Sequence, residues 1–369
     1  SAGVHQYILH LLRHLGDADE DLRFSALVGA DALEPESDLL LLRARWRTGR
    51  PHARILWEQL VQPGALRRIE ADLVHGPVFV GPLLAPCPVV VTIHDLSFIR
   101  FPHLFRTANR LYLTVMTRLS ARRARRLIAV SEHAATEAVT LLGVPRERID
   151  VVYHGVDPEF RPLPAAEVTR LVTNPGTTAR FSLFSATLEP RKNLERLIEA
   201  FSRVDADDTK LVLVGGKGWL YEDLFEEVEA LGLQEAVIFP GYVRSEELPF
   251  WYNAATAFAY PSLYEGFGMP VTEAQACGTP VLTSNTSSLP EAAGDAALLV
   301  DPDDVEAIAG GLSRILRDDA IREGLAARGL THARAFDWSR TARRTTEVYR
   351  RALERSTVGP SPDGKGESR

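Results

Sequence analysis

Short apolar runs and longer amphipathic stretches alternate along almost the whole of this chain, and the alternation starts afresh after a proline-rich break at Arg161-Pro-Leu-Pro164. That rhythm admits few architectures. Two parallel strands can be joined only by a crossover, usually a helix, so the repetition specifies βαβ units with helices covering a parallel sheet. Before the break, 23–28, 73–75, 89–93, 127–130 and 149–152 read as strands and 7–15 and 112–126 as helices. After it, strands are predicted at 181–185, 211–214, 237–239, 257–260, 279–283 and 297–300. Helices are predicted at 193–202, 220–231, 246–252, 305–317, 320–334 and 338–354. The expected organisation is α/β, with two doubly wound units at 1–160 and 161–335. A basic helix lies within 336–355, and a Ser/Gly/Pro/Lys-rich tail at 356–369 is expected to be disordered. A unit of this kind ordinarily opens on a strand. Here a loop entering a helix comes first, and a first strand is expected to be absent from the sequence.

Composition removes several function classes. With 42 basic against 49 acidic residues the net charge is −7, which disfavours a nucleic-acid partner. Cys87 and Cys277 are far apart and form no disulfide framework, which suits a reducing, cytoplasmic compartment. No apolar run is long enough to span a bilayer. Asp17-Ala-Asp19 and Asp205-Ala-Asp207 read as polar turns and Asp301-Pro-Asp303 as a helix start, so no metal is expected. Five arginines, Arg118, Arg122, Arg123, Arg125 and Arg126, form a cluster that reads as a solvated helix face or as a peripheral contact with anionic lipid.

Chemistry concentrates between Pro261 and Pro280. Glu265 and Glu273 stand eight positions apart around Gly266-Phe267-Gly268-Met269, and Pro270 then opens a helix. The amides near Phe267, Gly268 and Met269 would point outward at the positive end of that helix, a seat for phosphate with a carboxylate before it and another one turn beyond. A ligand with an anionic middle and hydroxyl-bearing ends fits this layout. Arg191-Lys192, in a loop after a buried strand, supplies two cations suited to a diphosphate leaving group; the alternative is a solvated pair on a helix start. His94-Asp95 ends the most apolar strand of the first unit, either facing a cleft or as a structural pair in which Asp95 caps the following turn. Gly215-Gly216-Lys217-Gly218 follows a strand but lacks the dinucleotide fingerprint.

The segment around Glu265 and Glu273 resembles the E-x7-E signature of the retaining family 4 glycosyltransferases, with Pro-Ser-x-x-Glu-Gly-Phe-Gly before it and Ala-Cys-Gly-Thr-Pro-Val after it. Thr187-Leu-Glu-Pro-Arg-Lys-Asn193 and His94-Asp-Leu-Ser-Phe98 are similar to other strings of that family. The resemblance implies a GT-B fold, two Rossmann-like domains facing across a cleft, with the last helix crossing back onto the first. It implies a nucleotide-sugar donor and an acceptor glycan or glycolipid, in polysaccharide assembly, with no cofactor beyond the donor. Glu273 would hold the ribose, the 266–269 backbone with Arg191 and Lys192 the diphosphate, and Glu265 the sugar. His94 would lie near the reacting carbon, Gly3 would approach phosphate, and the main chain at Tyr242 and Val243 would read the base. Many relatives carry a Gly-Arg pair where this chain has Ser185-Ala186. His75-Gly76 and His154-Gly155 read as a cleft-facing strand end and a hinge. GDP-mannose is the favoured donor and UDP-sugars follow. Rival readings are an epimerase or phosphorylase of the same architecture, and a non-catalytic sugar-nucleotide sensor.

Overall fold

A computed structural model describes residues 2–30, 39–44, 48–49, 51–171, 180–204, 209–216 and 222–354. Its strands form three parallel sheets. The first pairs β1 (Ser25–Val28) with β2 (Leu40–Arg43). The second runs in the order β3 (Val74–Gly76), β4 (Val89–Ile93), β5 (Arg126–Ala129), β6 (Ile149–Val151). The third contains β7 (Phe181–Ser185), β8 (Lys210–Val214), β9 (Val237–Gly241), β10 (Ala257–Tyr260), β11 (Val281–Ser284) and β12 (Ala297–Val300), in the order β12-β11-β10-β7-β8-β9. Counted within that sheet the order is 3-2-1-4-5-6, the doubly wound Rossmann arrangement. Its direction of winding reverses between β7 and β10, and a crevice opens there at the strands' carboxyl ends.

The central strands form for a plain reason. β4 is Val-Val-Val-Thr-Ile, β-branched throughout, and β7 is Phe-Ser-Leu-Phe-Ser, whose large apolar residues alternate with or adjoin small serines; every position of both is buried, as in a parallel sheet covered on both faces. One apolar core lies around β7, β8 and β10, a second around β4 and β5. A third joins the ends of the chain. Tyr7 and Leu11 of the Ala2–Ala18 helix pack with Val90 and Ile128, and with Trp338, Val348 and Tyr349 of the Trp338–Leu353 helix. His75 anchors that arrangement. Its Nδ1 meets Tyr349 Oη at 2.7 Å and its Nε2 Thr92 Oγ1 at 2.7 Å. Burial drives its pKa down to about 3. His75, predicted to face the cleft, is a neutral structural link.

Several elements depart from the sequence reading. The helix expected at 112–126 is Thr107–Arg123, because Arg126 already belongs to β5 and gives its guanidinium to Asp150. The strand Leu40–Arg43 and the helix Glu132–Leu142 were not predicted. That helix carried readable caps: Ser131 Oγ accepts from Ala134 N at 2.9 Å, and Gly143 follows at φ +70°. Asp304, rather than Asp301 or Asp303, caps the Val305–Arg317 helix. The tail at 356–369, Asp205 and Asp207, and Lys217 and Gly218 lie outside the described residues.

Candidate active site

The loops leaving β7 and β10 meet at the crevice. After β7, the chain makes a single turn of 3₁₀ helix at Pro190–Lys192 and ends it on Asn193, at φ +62°. Asn193 Nδ2 donates to Pro261 O at 3.0 Å and to Pro302 O at 2.7 Å, and Leu263 N donates to Arg191 O at 3.0 Å. These bonds tie the two loops together and turn both cations inward, so Arg191-Lys192 is no solvated helix start.

Both cations converge on one carboxylate. Lys192 Nζ lies 2.6 Å from Glu265 Oε1, and Arg191 donates to Glu265 Oε2 at 3.2 Å. Tyr260 and Ser262 also donate to Oε1, at 2.9 and 2.7 Å. Burial alone would raise the pKa of Glu265; the charges of Lys192 and Arg191 outweigh it and hold the pKa at about 2. Burial and the Arg191 charge pull Lys192 below the usual amine value. A carboxylate held so low keeps the ammonium as its partner, and the cluster carries one negative and two positive charges. Arg191 also pairs with Glu189 at 2.8 Å and donates to Tyr264 O at 2.7 Å.

Beyond Glu265 the chain turns into the Met269–Ala276 helix through Gly268, at φ +112°. A Cβ on Gly268 would press within 3.0 Å of Leu289, so the turn admits glycine alone. No side chain caps this helix, and the amides of residues 266–269 donate to none of the described residues. Four open donors therefore sit at a helix N-terminus next to two cations, a geometry that can bind a dianion. Ser287, at φ +54°, accepts from Glu265 N at 3.2 Å, and Ser288 Oγ reaches the carbonyls of Glu265 and Phe267 at 2.9 and 2.8 Å. Glu273 stands one turn into the helix and differs from Glu265 in kind. Among the described residues its side chain accepts from Tyr252 Oη at 3.1 Å and forms no ion pair. Burial, reinforced by the charge of Asp157, pushes it up to about 7.

The sheet of β3–β6 closes the crevice from the other side. His94, at the end of β4, is buried, and its Nε2 donates to Pro77 O at 2.8 Å. Burial lowers its pKa to about 4, so the ring is neutral and Nδ1 is left as an acceptor rather than a donor. A Cβ on Gly266 would overlap the His94 carbonyl oxygen, so glycine lets the two loops touch. Ser131 Oγ donates to Gly266 O at 2.7 Å, Leu96 N to Tyr264 Oη at 3.0 Å, and Tyr264 Oη to Glu137. Phe267 inserts its ring between Tyr153 and Phe336, at 5.7 and 5.5 Å. A Cβ on Gly3 would lie 2.8 Å from Met269 Cε, which places Gly3 at the same junction. Tyr242 is exposed and Val243 partly buried, just past the end of the edge strand β9, so β8 separates them from β7.

The structure thus brings Gly3, His94, Arg191, Lys192, Glu265, Gly266, Phe267, Gly268, Met269 and Glu273 to one crevice and sets Tyr242 and Val243 at its flank. Sequence reasoning missed Tyr260, Ser262, Ser287 and Ser288 around Glu265, and Tyr252 on Glu273. Only the serine run in Ser284-Asn-Thr-Ser-Ser288 offered a signal, as turn-forming chemistry.

Known proteins resemble this chain in sequence and in fold. Residues 167–331 match the family described as Glycosyl transferases group 1, and residues 1–160 match Glycosyltransferase Family 4. The O-antigen chain mannosyltransferase B of Escherichia coli is 34% identical over 293 residues, which cover 78% of this chain and 77% of that protein. A sucrose-phosphate synthase from Thermosynechococcus elongatus superposes with a TM-score of 0.75 at 22% identity, covering 94% of this chain and 92% of the other. Alr3699/HepE of Anabaena, in complex with UDP and glucose, gives 0.74 at 21%, covering 94% and 96%. At such identities these two likenesses speak for the fold, which is GT-B.

Proposed function

The chain belongs to the family 4, group 1 glycosyltransferases, and from that premise we propose that it moves a mannosyl group from GDP-mannose to an acceptor hydroxyl with retention of configuration. One observation carries the reading: at the switch point between β7 and β10, two cations and four open amides surround a carboxylate held ionised. The diphosphate takes the 266–269 amides and draws Arg191 and Lys192 toward it. As the glycosidic bond breaks, negative charge grows on the leaving phosphate, and donors already aimed there stabilise it. Glu273 accepts from the ribose hydroxyls. Glu265, released in part from its cations, accepts from hydroxyls of the sugar.

Retention follows from the roles left to the carboxylates. Glu265 has four donors and a pKa of about 2, which makes it a poor nucleophile. Front-face transfer, with the leaving phosphate taking the acceptor proton, then fits better than a covalent glycosyl-enzyme. Neutral His94 orients an incoming hydroxyl through its free Nδ1. The relative named O-antigen chain mannosyltransferase B supports mannose as the sugar and a bacterial polysaccharide as the product. UDP-sugars are the next candidates, since Alr3699/HepE binds UDP and glucose. Thermal shift with GDP-mannose and UDP-sugars, followed by product NMR, tests the proposal. Binding of neither nucleotide class, or a β-linked product from an α-linked donor, overturns it.

A further inference from the structure

Between Asp95 and Glu132 the chain carries eight arginines, at positions 100, 106, 110, 118, 122, 123, 125 and 126, and no carboxylate, in a protein whose net charge is −7. The structure sorts them. Arg100 pairs with Glu137 and Arg126 with Asp150; Arg125 binds the Glu354 carbonyl, and Arg123 binds those of Leu83, Ala85 and Cys87. Arg118 and Arg122 are different. Both are exposed on the Thr107–Arg123 helix, and their side chains meet no partner among the described residues.

The same helix exposes apolar residues at intervals of four. Leu111, Val115 and Leu119 are 63%, 44% and 40% exposed and form a single stripe. The stripe continues onto neighbouring elements. Gly81 N donates to Ser120 Oγ at 3.2 Å and Leu83 N to Gln59 Oε1 at 3.0 Å, which clamps the loop bearing Leu84 between this helix and the segment 51–68. Leu84 is 67% exposed, and Leu56 and Leu60 on that segment are 46% and 66% exposed. Six large aliphatic side chains on one face, edged by unpaired arginines, exceed the scattered exposure of an ordinary soluble surface.

We propose that this face docks on an anionic lipid bilayer, with the aliphatic residues entering the interface and Arg118 and Arg122 meeting lipid phosphates. Charge decides between a membrane and a second copy of the chain. A second copy docking symmetrically would set this carboxylate-free helix against itself, arginine facing arginine, whereas a bilayer rich in acidic lipid supplies negative charge and apolar depth together. The helix is also tied to the crevice. Packed rings run from Phe105, before the helix, through buried Phe98 and partly buried Phe79 to buried His94, with centroids 6.5, 5.6 and 5.8 Å apart. That packing holds the docking face at a fixed distance from His94, so docking would set the crevice near the bilayer for an anchored acceptor; this last point rests on the transfer reading, and the docking does not.

Flotation of the full chain with phosphatidylcholine vesicles, with and without phosphatidylglycerol, tests the docking without any catalytic readout. Binding is expected only to the acidic vesicles. Each arginine removed, as Arg118→Ala or Arg122→Ala, should lower partitioning about fivefold and the pair together about 25-fold. Leu111→Glu with Val115→Glu should abolish flotation while circular dichroism stays unchanged. Absence of flotation with acidic vesicles, or equal flotation of all variants, overturns the proposal. So does a concentration-dependent dimer that Leu111→Glu dissolves while vesicles leave the protein unbound, which would assign the face to a second copy.

Discussion

Lys192 Nζ and Glu265 Oε1 lie 2.6 Å apart, both buried, with Arg191 on the carboxylate's other oxygen. A diphosphate entering the crevice must compete with Glu265 for these cations, so donor affinity is set against an ion pair already made. Glu265→Gln leaves the buried Lys192 ammonium without its counter-ion, while Arg191 keeps Glu189. The expected cost is about 3–5 kcal/mol of stability, the range for breaking a buried pair from one side, together with a roughly hundredfold or larger loss of turnover. Denaturant titration and initial rates measure the two effects. Adding Lys192→Met to Glu265→Gln should restore part of the stability and none of the activity; a double variant that recovers neither would mean that packing, not charge, is what Glu265 supplies.

Gly266→Ala separates contact between the two halves from the folding of each. A Cβ there overlaps the His94 carbonyl oxygen, which is main chain and cannot rotate away. Gly266 and His94 belong to different sheets' loops, so each core should persist while the approach of the loops is lost. The expected result is a strong fall in kcat, a small change in melting temperature, and a larger radius of gyration by small-angle scattering in the presence of nucleotide. An unchanged radius with normal kcat would show that the loops yield at little cost.

The sequence exposed the parts of this fold that repeat and concealed those made by distant pairs. β4 was legible because its five residues are β-branched and four of them apolar, which admits little except a strand buried on both faces, and β7 because Phe181, Leu183 and Phe184 form a short apolar run ahead of a loop. β2 was not, because Leu40–Arg43 is half exposed and short. At the site, Glu265, Arg191 and Lys192 could be named, while Tyr260 and Ser262 could not, since nothing along the chain announces which hydroxyls will reach a carboxylate. His75 shows the opposite error. A histidine at a strand end looks poised for chemistry until Tyr349, 274 positions away, closes on its Nδ1.

Glu273 gives the protein a pH dependence opposite in sign to that of Glu265. Its pKa rises from 4.5 to about 7 on folding, so the folded chain binds the extra proton and the associated stability is present below pH 4.5 and lost as pH climbs through 7. For Glu265, held at about 2, stability is present above pH 4.5 and lost on descending toward 2. Glu273→Gln should therefore gain on the wild type between pH 5 and 8, by at most about 3 kcal/mol, and melting curves of both across that range would record it. Nucleotide binding should strengthen over the same interval, because ribose hydroxyls donate best to the ionised carboxylate. A flat stability difference would place Glu273 in water, outside the low-dielectric pocket.

His154 is buried with both ring nitrogens unpaired among the described residues, in a ring cluster of Tyr7, Phe267 and Trp338 with centroids 5.1, 5.4 and 5.9 Å away. Burial, with His94 nearby, drives its pKa well down, so the ring is a neutral polar group without partners. A buried group of that kind costs about 1–3 kcal/mol, and replacing it by an apolar ring removes the cost. His154→Phe is therefore expected to raise stability by about 1–2 kcal/mol, read as a shift in the denaturant midpoint at constant m-value. His154→Ala should do the reverse by opening a cavity beside Phe267. Because Phe267 belongs to the loop of Glu265 while Tyr7 and Trp338 pack on β4 and β5, the more stable His154→Phe protein should also release nucleotide more slowly. A His154→Phe variant that is less stable than the wild type would mean that the imidazole nitrogens do find partners in solution, and the junction would then depend on a polar contact rather than on ring packing alone.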